Sequence, residues 1–229
     1  NEMTALLEID NLTGGYRDTN VLFDVSARIE TGSVLGVFGR NGVGKTTLAR
    51  LVQGSLIAGA GEIRLEGSSV GTLPAYARRE LGFGYMPQTS MVFDDLTVRE
   101  NLNLGSNREA PDRYFERFPR LAERLDQPAG TMSGGERKIL AFVRSMIEDT
   151  KLIVLDEPSE GVQPENIYHM ADCLKERAAA GVGVLLCEQN LTFLTSISSW
   201  YLGLDAGTVV LNKPANEVSG ADLRSILSL

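Results

Sequence analysis

The segment GRNGVGKT, residues 39–46, limits what this chain can become more than any other stretch does. It fits the pattern G-x-x-x-x-G-K-[ST], which a chain of this composition would match by chance on the order of once in a hundred. A glycine-rich turn would explain the glycines alone, but the flanks argue for a site. SVLGVFG (33–39) before it is a short apolar strand, and KTTLARLVQG (45–54) after it reads as a helix capped by Gly54. Gly39, Gly42 and Gly44 let the backbone curl so that successive N–H groups converge on phosphate oxygens. The helix starting at Lys45 adds its positive end. Lys45 brings a point charge for the outer phosphates, and Thr46 a hydroxyl for magnesium. Asn41, Val43 and Thr47 complete the expected nucleotide-binding set.

The companion stretch is KLIVLDEP, residues 151–158. An apolar strand that delivers Asp156 to its C-terminal end puts a carboxylate beside the phosphate loop, as a magnesium ligand. Glu157 follows and, by strand alternation, points the other way. A second carboxylate there suits a general base for an attacking water. Two acids at a strand end could equally form a solvated turn; the nearby phosphate loop favours the catalytic reading. A third strand, VLLCEQN (184–190), runs apolar and then stops on Glu188, Gln189 and Asn190. An apolar core strand has no packing reason to end that way.

The remaining pattern is α/β. LLEIDNL (6–12) and VLFDVSARIE (21–30) read as strands around a turn, GGYRDTN, and GEIRLEG (61–67) and GFGYMPQ (82–88) as two more. TVRENLNL, PDRYFERF and LAERLD are helical pieces broken by Gly105, Pro111 and Pro119, so 88–133 reads as an inserted helical subdomain. Helices over 134–149 and 164–180, a short helix and a C-terminal hairpin, WYLGLDAGTVVLNK, follow. Strands alternating with helices predict a parallel core, with antiparallel layers at both ends of the chain. With 229 residues, 43% of them hydrophobic, one sizeable core is affordable. No apolar run approaches the roughly 18–20 residues of a membrane helix, and NEMTALLEID does not read as a signal peptide. Two cysteines, Cys173 and Cys187, predict neither a disulfide nor a metal framework and point to a reducing cytosol. The net charge of −8 argues against a general nucleic-acid binder.

TMSGGERK (131–138) resembles the signature motif of ABC ATPases, and it lies upstream of the Asp156 strand at the end of the helical insertion, as in that family. The resemblance covers essentially the whole chain. It implies a P-loop NTPase fold: a RecA-like parallel core with an antiparallel β subdomain over 1–87 and 134–229, and a helical subdomain over 88–133. Tyr16 matches the aromatic that stacks on adenine, and Gln88 the glutamine that touches magnesium and the attacking water. Gln88 thus joins Thr46 and Asp156 as an expected metal ligand, and Glu157 and Gln189 as an expected catalytic residue. The implied mechanism uses ATP and Mg2+ between two head-to-tail ATPase subunits. Ser133, Gly134, Gly135 and Glu136 of one subunit face the ATP of the other. Closure would work transmembrane permease subunits from the cytoplasmic face of the membrane, with no nucleic acid involved.

FGRNGVGKTTL, LTVRENL, RYFERFPRLAERL, AGTMSGGE and LDEPSEGVQP look like the ATPase subunits of importers for branched-chain amino acids and for urea or short amides. Some departures stand out. The signature ends in Glu136 rather than the commoner Gln, and Ser159-Glu160-Gly161-Val162 lacks the usual aspartate of the D-loop. The helical insertion is short. The position of the usual switch histidine falls on Gln189, while the single histidine, His169, belongs to a helix surface. Two other readings stay open: a non-transport ABC ATPase acting on DNA, ribosomes or chromosomes, and a regulatory subunit that binds nucleotide without hydrolysing it.

Overall fold

Alternation of apolar and polar residues builds the first hairpin in the computed structural model, which describes residues 5–17, 19–89, 92–105 and 109–228. The start of the NEMTALLEID stretch and parts of the expected helical insertion, 90–91 and 106–108, lie outside the described residues. Strands β1 (Leu7–Tyr16) and β2 (Thr19–Ile29) pair antiparallel, with Leu7, Ile9 and Leu12 buried and Glu8 and Asp10 partly so. The expected turn GGYRDTN is therefore partly strand. Register shifts between Ile9 and Gly15 absorb the glycines and carry the ladder on to Tyr16.

Beyond the hairpin come β3 (Val34–Phe38), α1 (Lys45–Gln53), β4 (Ala60–Leu65), β5 (Ser68–Ser69), α2 (Ala75–Glu80) and β6 (Phe83–Met86). The next stretch holds α3 (Val98–Leu102), α4 (Pro119–Glu123) and single 3-10 turns at Pro111–Tyr114 and Ala129–Thr131. These pieces are shorter than the sequence pattern predicts, because Pro111 and Pro119 can only open a helical turn there. Then follow α5 (Gly134–Ile147), β7 (Leu152–Asp156), α6 (Pro164–Ala179), β8 (Gly183–Cys187), α7 (Leu191–Ile197), β9 (Trp200–Asp205), β10 (Thr208–Pro214) and α8 (Gly220–Ser228).

The strands form two sheets. One is antiparallel, in the order β2-β1-β4-β5; the other is six-stranded, in the order β10-β9-β3-β8-β7-β6. In the larger sheet β9, β3, β8, β7 and β6 run parallel and only β10 is antiparallel. The C-terminal hairpin thus extends the main sheet instead of forming a second antiparallel layer. Its first strand buries Tyr201, Leu202 and Leu204 beside β3, which a separate layer could not offer.

Every residue of β3, β7 and β8 is buried, so both faces of the sheet are covered. Alternate residues serve two cores. Leu35, Val37, Leu152, Val154, Leu185 and Cys187 pack with α1 and the antiparallel sheet. Val34, Phe38, Ile153, Leu155, Val184 and Leu186 pack with α5 and α6. Tyr114, Phe118 and Leu121 join this second core, which anchors the short helical pieces to α5. The C-terminal ends of β3, β7 and β8 come together at one edge of this sandwich, where an open parallel sheet places its ligands.

Candidate active site

The loop after β3 reaches α1 through Gly39, Gly42 and Gly44, all at positive φ. Gly44 is obligatory: its φ is 114°, and a Cβ there would lie 2.5 Å from the Leu22 side chain. The loop hands over directly to α1, whose first N–H groups have no intrahelical partners and no side-chain cap. Val43 and Thr47 are buried and fix the loop to the core, whereas Asn41 and Gly42 are exposed. Lys45 is only 4% exposed. Its ammonium donates to the carbonyls of Gly39 at 2.9 Å and Arg40 at 3.1 Å.

Thr46 donates its hydroxyl to Asp156 Oδ1 at 3.2 Å. Asp156 is fully buried, and its Oδ2 has no hydrogen-bond partner among the described residues. Burial holds its carboxyl above the usual carboxylate range, opposed by the Thr46 hydroxyl and reinforced by the charge of Glu157. An unused carboxylate oxygen, buried beside a hydroxyl, suits a hard divalent cation such as Mg2+.

Glu157 does not continue the strand alternation that the sequence suggests. β7 ends at Asp156, and Glu157 takes a left-handed φ of 48°. Its N–H donates to the Cys187 carbonyl at 2.8 Å, tying the ends of β7 and β8. This turn brings both carboxylates to the same edge. Glu157 Oε1 accepts from the Gln189 amide at 2.8 Å and lies 3.3 Å from the Lys45 ammonium. Its Oε2 accepts from the Gln88 amide at 3.0 Å. Gln189 also donates to the Asn41 side chain, and Gln88 to Glu160 at 3.3 Å. The structure thus gathers Lys45, Thr46, Gln88, Asp156, Glu157 and Gln189 in one cluster.

Ser133 and Glu136 form a capping box at the start of α5. The Ser133 N–H donates to Glu136 Oε2 at 2.9 Å, and the Glu136 N–H to Ser133 Oγ at 3.3 Å. The Ser133 N–H holds the Glu136 carboxyl below its ordinary range, so Glu at this place in the signature has a local structural use. Gly135 packs on the D-loop; a Cβ there would lie 2.8 Å from the Gly161 carbonyl. Ser133, Gly135 and Glu136 line a cleft of roughly 590 Å³ with Gly161, Gln163 and His169, away from Lys45. Gly134 has open space beside it. His169, half-buried on α6, sets its ring edge-on to Phe118. Tyr16, 39% exposed at the end of β1, lies against Arg50 of α1, whose guanidinium is 5.8 Å from its ring centre.

Residues 22–160, more than half of the chain, match the family described as ABC transporter. The chain belongs to that family. This ABC ATPase is 36% identical over 221 residues to the probable branched-chain amino acid transport ATP-binding protein LivF of Archaeoglobus fulgidus, covering 93% of this chain and 94% of that one. It is 36% identical over 214 residues to the high-affinity branched-chain amino acid transport ATP-binding protein BraG of Pseudomonas aeruginosa, covering 90% and 92%. A lipopolysaccharide export system ATP-binding protein, LptB of Haemophilus influenzae, is 29% identical over 224 residues, covering 93% and 92%. Among solved structures, one titled "Structure of ATP binding subunit of ABC transporter" matches with a TM-score of 0.85 at 27% identity, over 98% of this chain and 100% of that one. Members of this family hydrolyse ATP to power transport, and the chain is the ATPase subunit of such a transporter.

Two buried groups of this ABC ATPase escape a sequence reading. Glu188 is 3% exposed; its Oε1 accepts from the N–H groups of Gln189 at 2.8 Å and Asn190 at 3.0 Å, and its Oε2 from the Ser159 N–H at 3.3 Å. It clamps the end of β8 to the start of the D-loop, and Asn190 caps α7 through the Phe193 N–H. The end of VLLCEQN therefore divides its work among a clamp, a site residue and a helix cap. Lys138, on α5, is the other. The only signal for either is an ionisable residue at the border of an apolar run.

Proposed function

We propose that this chain is the ATP-hydrolysing subunit of an ABC importer for branched-chain amino acids, with urea or short amides as the neighbouring substrate class. The two relatives named for branched-chain amino acid transport, each 36% identical over at least 90% of this chain, favour the amino acid class. The observation that carries the ATPase chemistry is the convergence of Lys45, Gln88 and Gln189 on the carboxylate of Glu157.

In this reading, residues 39–47 cradle the phosphates and Tyr16 stacks on the adenine. Thr46, Asp156 and Gln88 would hold Mg2+, which neutralises phosphate charge. An incoming γ-phosphate draws the Lys45 ammonium away from the Gly39 and Arg40 carbonyls and from Glu157. Glu157 then takes a proton from the attacking water, while Gln189 donates to a γ-phosphate oxygen. Gln189 cannot carry the proton itself, since an amide does not titrate near neutral pH.

Ser133, Gly134 and Gly135 serve the ATP of a second ATPase subunit, placing that phosphate at the positive end of α5. The permease subunits would dock in the groove between α2, β6 and α5, where Tyr76, Arg79, Tyr85 and Glu148 line a cavity of about 310 Å³. This arrangement holds the chain at the cytoplasmic face of the membrane, with 88–133 acting as the helical subdomain. The test is Glu157→Gln in the assembled transporter, with uptake of labelled leucine and urea followed in parallel. ATP affinity should stay within about twofold of the native value while hydrolysis and uptake fall by 100-fold or more, the scale of a lost general base. Near-native turnover would remove Glu157 as the base, and uptake of neither solute by the native complex would remove the substrate assignment.

A further inference from the structure

Lys138 lies five residues beyond Ser133 on α5, and only 4% of it is exposed. Lysine is among the side chains least often buried to this degree. Taking an ammonium out of water costs several kcal/mol, so packing alone does not account for it; a leucine or methionine would fill the space more cheaply. Among the described residues no carboxylate comes within ion-pairing distance. The ammonium instead donates to the main-chain carbonyl of Gln88. Burial lowers the affinity of Lys138 for its proton, and the more distant carboxylates of Glu160, Asp156, Glu157 and Glu188 oppose that loss.

Gln88 is thus held at both ends. Its carbonyl is fixed from the signature helix, and its side-chain amide is bonded to Glu157 and Glu160. A continuous series of contacts runs from the Ser133 cap, along the first turns of α5 to Lys138, through Gln88 to Glu157, and on to Lys45 in the phosphate loop. Every link is a hydrogen bond, an ion pair or a rigid helical turn, the kinds of element that transmit a displacement.

We propose that Lys138 is a positioning residue that ties the signature helix to Gln88, so that nucleotide binding at the phosphate loop moves Ser133–Glu136 in the same chain. The inference rests on the reading of residues 39–47 as the nucleotide site. Through this link the occupancy of one ATP site adjusts the surface offered to the other.

The test is amide hydrogen exchange of the full chain, with and without ATP and Mg2+, at a concentration where light scattering shows a monomer. In the native chain ATP should slow exchange in the 39–47 segment and also change exchange in the 133–140 segment. Lys138→Met keeps the stem and removes the donor; it should keep the first response and lose the second at least fivefold. Lys138→Arg keeps the charge and donors and should retain both. If Lys138→Met does not fold, Lys138→Gln takes its place: the shorter amide should lose about half of the 133–140 response. A full 133–140 response in the Met variant, or in the Gln variant replacing it, overturns the proposal. So does a native chain that responds at 39–47 but not at 133–140. No response at 39–47 in the native chain would instead refute the nucleotide site itself.

Discussion

The carboxylate of Glu157 is surrounded by Lys45, Gln88 and Gln189, donors that come from three separate segments. Its own position depends on a left-handed backbone that no periodicity announces, since strand alternation predicts the opposite orientation. Identity was legible there and geometry was not. The same holds for Glu188, whose neighbour Gln189 reads as a site residue while Glu188 itself looks like a stray charge at a strand end. Its two oxygens collect three N–H groups in a space with 3% exposure. Replacing it by glutamine turns one acceptor into an NH2 that faces an N–H, leaving donors unpaired in the interior. Glu188→Gln should cost about 1–3 kcal/mol, read as a lower denaturant midpoint with an unchanged slope. Because Gln189 and Ser159 lose their common anchor, ATP turnover should fall while ATP affinity holds. Unchanged stability and turnover together would reduce Glu188 to a bystander.

Helix α1 shows how an element can be matched to its task at both ends. Its N-terminus opens onto the phosphate loop, and its C-terminal carbonyls meet a buried guanidinium. Arg78, with no measurable exposure, donates to the carbonyls of Leu51 and Val52, each at 2.7 Å, and to those of Leu73 and Gly71. Burial brings its pKa down to about 10, which still leaves it charged at neutral pH. A cation at the negative end of the helix complements the anion-binding end. It also closes carbonyls that the helix cannot satisfy itself. The strands and helices flanking the phosphate loop were readable because their apolar periods are long and clean. Arg78 was not, because a basic residue in a polar stretch carries no mark of its carbonyl cage. Nor was the sheet membership of β9 and β10, which depends on pairing with β3 more than 160 residues away. Arg78→Met should destabilise by at least about 3 kcal/mol, since several buried carbonyls lose their donor. For a chain of this length that corresponds to a melting temperature lower by on the order of 10 °C. ATP bound at the loop should restore part of the loss by mass action. A melting temperature within a degree of native would show that water closes those carbonyls equally well.

At the scale of the molecule, the two halves of the phosphate chemistry sit on different surfaces. The loop, the strand-end carboxylates and Gln189 form one cluster; Ser133, Gly135 and Glu136 line a cleft with Gly161, Gln163 and His169. No hydrogen bond or ion pair among the described residues joins the signature to residues 39–47. In the proposed function the helix end facing the γ-phosphate comes from another subunit than the one that cradles it, and the Lys45–Glu157 contact is the state of Glu157 in a lone subunit. The proposed function therefore predicts that hydrolysis depends on a second copy or a second ATPase subunit. For the isolated chain at saturating ATP, the rate should rise with the square of concentration while dimers are scarce, and become linear once they predominate. Specific activity should climb at least tenfold across that range. If two different subunits form the working pair, this chain alone should stay on the quadratic limb until its partner is added, and then rise steeply to a one-to-one ratio. A specific activity independent of concentration, in a sample that light scattering shows to be monomeric, would mean that one chain completes its own site. The separation of the signature from Lys45 would then have to close within a single molecule.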